Sequence, residues 1–303
     1  MKIHALTTLK NEADVVAQAL TAAAEWCDHI YVLDNGSTDG TWEIVEDLAE
    51  TIPAIVPWKI DDKPFTDSLR AEIFDHFRSA AGPDDWWCEQ DADEFYVDDP
   101  RVFLRKVPKQ YSVVWAATFS YYFTDRDAAL FADEPERYAD DVPVESKIRY
   151  YLNHWSEPRF FRHSDEIIWR GGGFPPWVHS EPVYPVRIWL KHFPYRSPAQ
   201  IGRRLADRSD AVAAGHFSHE AIADWGEAIA SVRSTRALVE RTGVQYASAS
   251  WEDRIVPAAS LDFDAHDCRL VMNESLMPPI PDRTGPLHRT RSGARRVLRR
   301  RPV

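Results

Sequence analysis

The sequence predicts an α/β protein: a Rossmann-like, mostly parallel sheet flanked by helices, then a β-rich half and C-terminal helices. Three observations carry this. Short apolar runs alternate with helical spacings through the first hundred residues, the β-α-β-α grammar of parallel sheets. After Pro100 that grammar gives way to runs rich in β-branched and aromatic residues. Polar and acidic residues gather where the first strands end, and open α/β sheets bind ligands there.

Each element follows from local pattern. Ile3–Leu9 is a short apolar run, read as a buried strand. From Glu12 to Trp26, Val15, Val16, Ala19, Leu20, Ala23 and Trp26 recur at helical spacing. His29–Leu33 is a second strand, and the Asn/Gly/Ser/Thr/Asp-rich segment from Asp34 to Thr41 is a loop ending in a helix cap. Thr41–Glu50 reads as a helix and Ala54–Ile60 as a strand broken by Pro57. Asp67 caps a helix running to Ala80, stopped by Gly82-Pro83, and Trp86–Gln90 is a strand entering an acidic cluster. Later strands are expected at Tyr111–Phe123, Lys147–Tyr151, Pro158–Arg162 and Val186–Phe193, separated by loops such as GGGFPPW at Gly171–Trp177. Ser197–Ala214 and Ile222–Glu240 read as helices, and nothing regular is expected beyond Pro257.

Composition narrows the function classes. With 44% hydrophobic and 28% charged residues, the chain is an ordinary globular one, not disordered or fibrous. No run of about 18 apolar residues occurs, and the opening run meets Glu12 and Asp14 too soon for a secretory leader. The net charge of −12 is unevenly placed. Residues 283–303 hold eight Arg and no acid, leaving 28 basic against 48 acidic groups, a net of −20, over residues 1–282. So acidic a body argues against a nucleic-acid surface. Cys27, Cys88 and Cys268 form neither a zinc pattern nor a disulfide framework, which makes a reducing cytoplasm the expected setting. His216 and His219 stand three apart without further ligands nearby, too little for zinc.

The ligand-binding ends of the sheet fall at Thr8–Glu12, Asp34–Thr41 and Asp91–Glu94. Neither GxxxxGK nor GxGxxG occurs, so a bound nucleotide would lack a glycine cradle. Asp91-Ala92-Asp93 offers another means of neutralising a diphosphate. Two carboxylates at i and i+2 past an apolar strand can share one hard cation with substrate phosphates, whereas burying them without a cation is costly. Asp34 closes its strand and can accept a base or ribose hydrogen bond; Asp39 is explained equally by a helix cap.

These motifs together, TLKNE at Thr8–Glu12, VLDNGSTDGT ending at Thr41 and EQDADEF ending at Phe95, resemble the family 2 nucleotide-diphospho-sugar glycosyltransferases, with a DADEF metal motif and a later KHFPYRS as in one bacterial and phage branch. The resemblance covers residues 1–100 and the region 186–200. It implies the GT-A fold, a nucleotide-sugar-binding half over 1–110, an acceptor-binding and catalytic half over 111–280, and a basic tail over 281–303. It implies nucleoside or diphosphate contacts from Thr8, Lys10, Glu12, Asp34, Asp39, Arg70 and Asp91. It also implies Mn²⁺ or Mg²⁺ on Asp91 and Asp93, with His192 and His179 rival third ligands. The activity implied is inverting transfer of a sugar from a nucleotide-diphosphate donor, UDP favoured, to a glycan or lipid-linked acceptor. Such transfer needs a general base. Glu181 is preferred for it over Asp165, Glu166 and Asp210, alongside Asp93 as a catalytic residue. Glu94 is expected to orient the acceptor or the motif, and Arg196 and Ser197 to bind the diphosphate or cap a helix. A lipid-linked acceptor gives the Arg-rich tail a reason to touch anionic membrane. A sugar nucleotidyltransferase is the rival within the fold, but its glycine-rich first loop is missing; a catalytically dead carbohydrate-binding protein is the rival outside it.

Overall fold

The computed structural model describes residues 1–66, 68–171, 174–175, 178–213, 225–235, 250–265 and 270–281. The basic tail, Asp67, His216, His219 and Cys268 lie outside them. Strands β1 (Ile3–Leu9), β2 (His29–Asp34), β3 (Ile55–Ile60) and β4 (Trp86–Glu89) alternate with helices α1 (Val16–Ala24), α2 (Thr41–Thr51) and α3 (Ser68–Phe77). The second half holds β5 (Glu94–Tyr96), α4 (Pro100–Arg105), β6 (Val113–Tyr122), α5 (Asp125–Asp133), α6 (Val144–Lys147), β7 (Tyr150–Arg162), β8 (Ile188–His192), α7 (Pro198–Ala213), α8 (Trp225–Thr235) and β9 (Asp262–Phe263).

Among the described residues the nine strands form one sheet in the order β3-β2-β1-β4-β7-β6-β8-β5, with β9 beside β7. Only β7 and β5 run against the rest. The mostly parallel α/β expectation therefore holds. Pro57 sits in β3, which is an edge strand where a missing N–H is tolerated.

The sheet must curl, and the reason is arithmetic. β7, β6 and β8 lie between β4 and β5. Four strand spacings across a flat sheet would be about 19 Å. The five residues from Glu89 to Glu94 reach at most about 17 Å even fully extended, and part of that path is a turn. The sheet therefore rolls until the start of β5 returns to the end of β4, and the Asp91-Ala92-Asp93 turn closes the gap.

Three apolar clusters fill the two faces. One packs β1, β2 and β4 against α1 and α2 through Ile3, Ala5, Val16, Leu20 and Val45. A second packs α3 through Leu69, Ile73 and Phe74 onto Leu6, Leu33 and Trp87. The third gathers Phe119, Tyr121, Phe123 and Phe193 under α7 and α8. Among the described residues no helix is long and apolar enough to cross a membrane.

Several expectations needed correction. The first helix starts at Val16, not Glu12, because Asn11 turns the chain at φ +55° and the Glu12 carbonyl accepts from both Val15 and Val16. The strands expected at Lys147–Tyr151 and Pro158–Arg162 are one strand, β7. Its pairing with β6 skips His154 and Arg159, and these two bulges hide the period-2 alternation. α5 was not foreseen although Thr124 and Asp127 form a capping box. β5 exists only because β8 pairs with it.

Candidate active site

Two loops meet at the carboxyl ends of β1 and β2. Asp34 is buried; its Oδ1 accepts from Ser37 N at 2.7 Å, and Oδ2 has no hydrogen-bond partner among the described residues. The same is true of the buried Thr8 Oγ1. Asp39 is fully engaged instead: Oδ2 accepts from Ala13 N at 3.2 Å, while Oδ1 accepts from Thr41 N at 3.1 Å and from its hydroxyl. Asp39 thus braces the first loop against the second and takes the first amide of α2 from the position before its Gly40 N-cap. Asn11 ties the same loops, donating to Asp207 of α7 at 2.6 Å and accepting from Thr38 N. Lys10 is exposed at the rim.

The aspartates of the turn after β4 point into different charge environments. Asp91 Oδ1 accepts from Arg70 Nη2 of α3 at 2.6 Å, and Oδ2 lies 3.6 Å from Arg159 Nη1 of β7. Burial pushes its carboxyl up, but Arg70 and then Arg159 outweigh that and hold it below the ordinary range. Asp93 Oδ2 lies 3.5 Å from His192 Nε2, 3.6 Å from Arg196 Nη1 and 3.7 Å from Arg204 Nη1. Burial raises that carboxyl too; His192, then the two arginines, bring it well below a free Asp. Both aspartates are therefore ionised at neutral pH.

Arginine supplies the rest of the framework. Arg159 bulges from β7, donates to Glu94 Oε1 at 2.5 Å and pairs with Glu157 Oε1 at 2.7 Å. Burial drives Glu94 well above a normal carboxyl, against the pull of Arg159. Burial likewise pushes Glu89, beneath Arg70, up to about 8. Arg196 is wholly buried, donates to both oxygens of Asp14 at 2.7 and 2.8 Å, to Glu12 Oε2 at 2.5 Å and to the Phe193 carbonyl at 2.8 Å. Arg196 therefore joins the first loop to the second half, and Glu12, which was expected to touch the nucleoside, is its partner. Ser197 Oγ accepts from Gln200 N at 3.2 Å, the cap reading.

Sequence reasoning failed most clearly for Glu181 and His179. Pro182 accepts from Ser112 and Val113 N, and Val183 bridges Val113. That is the opposite end of β6 from Ser120, which pairs with His192. Seven residues of strand separate the two ends, roughly 20 Å. Glu181 and His179 therefore do not join Asp93. Asp165 and Glu166 follow His163, whose N–H donates to the Asp85 carbonyl before β4, and share the wrong end. The Asp210 side chain lies outside those described. The residue missed was Arg159. An arginine between Pro158 and Phe160 in an apolar strand was a legible signal, since a buried guanidinium needs carboxylates.

The donor set suits a hard cation in part. Asp93 and His192 approach one point, and Mg²⁺-type ions are held by one or two carboxylates plus phosphates. Asp91 is turned to Arg70, and no three His, Cys, Asp or Glu side chains converge among the described residues.

A curled, mostly parallel sheet with two polar loops and an Asp-x-Asp turn at its carboxyl edge defines the GT-A class. The family described as glycosyl transferase family 2 matches residues 5–167, more than half the chain, and the protein belongs to that family. No curated protein matches the sequence. Among solved structures it is similar to the mannosyltransferase PcManGT from Pyrobaculum calidifontis in complex with GDP-Man and Mn²⁺, at 14% identity and TM-score 0.38, over 71% of this chain and 64% of that one. It is also similar to S. aureus TarS 1-349, at 11% identity and TM-score 0.30, over 68% and 65%. M. tuberculosis glucosyl-3-phosphoglycerate synthase matches at 16% identity and TM-score 0.26, over 54% and 58%. The chain thus spans less than two thirds of each of these, and at such identities the likeness is one of fold.

Proposed function

We propose that this protein transfers a sugar, with inversion, from a nucleotide-diphosphate donor to a hydroxyl of a glycan or lipid-linked acceptor. One observation carries the reading. Asp34 Oδ2 is buried at the carboxyl end of β2 with no hydrogen-bond partner among the described residues; Thr8 Oγ1, likewise unpaired there, sits one register step earlier in β1 on the other face of the sheet. Unpaired buried polar atoms are costly, so a ligand with donors is the expected occupant. A nucleoside meets that need, and its diphosphate would reach toward the Asp91-Ala92-Asp93 turn. Asp93 and His192 are the residues that would hold Mn²⁺ or Mg²⁺, with Asp91, turned to Arg70 here, the third candidate. Such an ion supplies charge stabilisation for a departing diphosphate.

The chain's own residues do the positioning. Arg70 and Arg159 fix Asp91 from two elements. Arg196 and Arg204 keep Asp93 ionised beside His192. Uracil is the favoured base by family resemblance. A thermal-shift screen of UDP, GDP and their sugars, with and without Mn²⁺, tests the reading in wild-type protein and Asp93→Asn. The expected result is a metal-dependent rise in melting temperature that the variant lacks. A metal-independent rise, or one kept by Asp93→Asn, removes the metal assignment.

A further inference from the structure

Glu181 stands at the wrong end of the sheet, which leaves the proposed transfer without a base. The carboxylates that touch the arginines around Asp91 separate by exposure. Glu89 and Glu94 have 4% and 0% of their side chains exposed, so neither meets an acceptor. Asp91 is 28% exposed and belongs to the diphosphate end. Glu157 is 30% exposed, and its Oε1 is held 2.7 Å from Arg159 Nη2. The same guanidinium contacts Asp91 and Glu94, so Glu157 is one residue away from the motif and faces solvent.

Its surroundings suit a sugar acceptor. The register Glu157↔Ala116, Ser156↔Ala117, Trp155↔Thr118 is unbroken, so Trp155 and Glu157 project from the same side, about 7 Å apart along the strand. Trp155 is 43% exposed, unusual for so large an apolar ring in a central strand. An exposed indole face offers a sugar ring a stacking surface beside the carboxylate. The skips at His154 and Arg159 bracket this stretch, and bulges re-aim side chains next to active sites. Glu145, another solvent-facing acid near β8, pairs with Lys191, which lies on the opposite face of its strand from His192.

We propose that Glu157 is the general base of the transfer and Trp155 the platform for the acceptor ring, an inference that rests on the transferase reading. Glu157 takes the proton of the acceptor hydroxyl. That oxygen's lone pair forms the bond to the anomeric carbon while the bond from that carbon to the diphosphate oxygen breaks, its electron pair leaving with the nucleoside diphosphate. The protonated Glu157 then returns its proton to water through its exposed edge. Arg159 holds the carboxylate in place.

Water can serve as the acceptor probe. Full-length wild-type protein, Glu157→Gln and Glu157→Asp are compared for Mn²⁺-dependent release of nucleoside diphosphate from UDP-glucose and GDP-mannose. Calorimetry with UDP and GDP is run on all three. Removing a general base costs on the order of a hundredfold or more. The expected result is at least that loss in Glu157→Gln, partial recovery in Glu157→Asp, and unchanged nucleotide affinity in both. Three results overturn the inference while leaving the transferase reading standing. They are release in Glu157→Gln within threefold of wild type, loss of nucleotide binding along with release in that variant, or a wild-type protein that binds nucleotide and hydrolyses neither sugar. A wild-type protein that neither binds nor hydrolyses any of these probes overturns both.

Discussion

Replacing Arg196 with Met should be among the most damaging single changes in this protein. The guanidinium is entirely buried and makes four hydrogen bonds to Asp14, Glu12 and the Phe193 carbonyl. Methionine fills a comparable volume without polar atoms, so the loss is mainly electrostatic. It leaves Asp14, itself buried, as a charge without its guanidinium. Breaking a buried pair from one side costs about 3–5 kcal/mol. At about 2–4 °C per kcal/mol, the expected drop in melting temperature is on the order of 10 °C. The sign of the pH dependence adds a second constraint. In the native protein, burial raises the Asp14 carboxyl and Arg196 outweighs it, so the folded pKa is lowered. That contribution is present above the unfolded pKa of about 4 and is lost as pH falls through the folded value. In Arg196→Met only the weaker pull of Lys147 and Arg203 still opposes burial and the carboxyl rises, so protonation relieves the penalty. The gap between variant and wild type should therefore narrow from pH 7 to about pH 4.5. Asp14→Asn combined with Arg196→Met should recover at least about 1 kcal/mol relative to the sum of the single changes. Scanning calorimetry of the four proteins at both pH values is the assay. An Arg196→Met protein melting within about 2 °C of wild type, or a strictly additive double variant, would refute the account of Arg196 as the tie between the halves.

Asp34→Ala should weaken UDP binding about tenfold or more by calorimetry with little effect on melting. Asp39→Ala should instead cost about 1 kcal/mol of stability, the usual loss for a helix cap, because both its oxygens are already engaged; the reverse order would refute the assignment. For the tail, each of eight Arg can contribute about 1 kcal/mol on anionic lipid at low salt. Full-length protein should then co-sediment with anionic liposomes and release at high salt, whereas a 1–282 truncation should stay in the supernatant; equal sedimentation of the two would end that reading.

The sequence by itself determined the parallel half. β1, β2 and β4 lie within a residue of where apolar runs between polar loops put them, because period and punctuation are local properties of the chain. The position of the Asp34 and Asp91/Asp93 loops at the carboxyl ends of β2 and β4 was legible for the same reason: strand-end carboxylates follow their strands in sequence. What tertiary structure alone decided was everything that depends on the curl. β5 has no signal of its own in Glu94–Tyr96 and becomes a strand through pairing with β8. Glu181, His179 and Glu157 all sit in loops or strands of similar composition, and no local pattern tells one end of β6 from the other. The register Val113↔Val183 sends the first two to the wrong end, while the two skips along β7 carry Arg159 and Glu157 to the motif. Side-chain chemistry was readable from the chain; which carboxylate meets which arginine is set by pairings between segments sixty to nearly two hundred residues apart, as for Glu94 with Arg159 and Asp14 with Arg196.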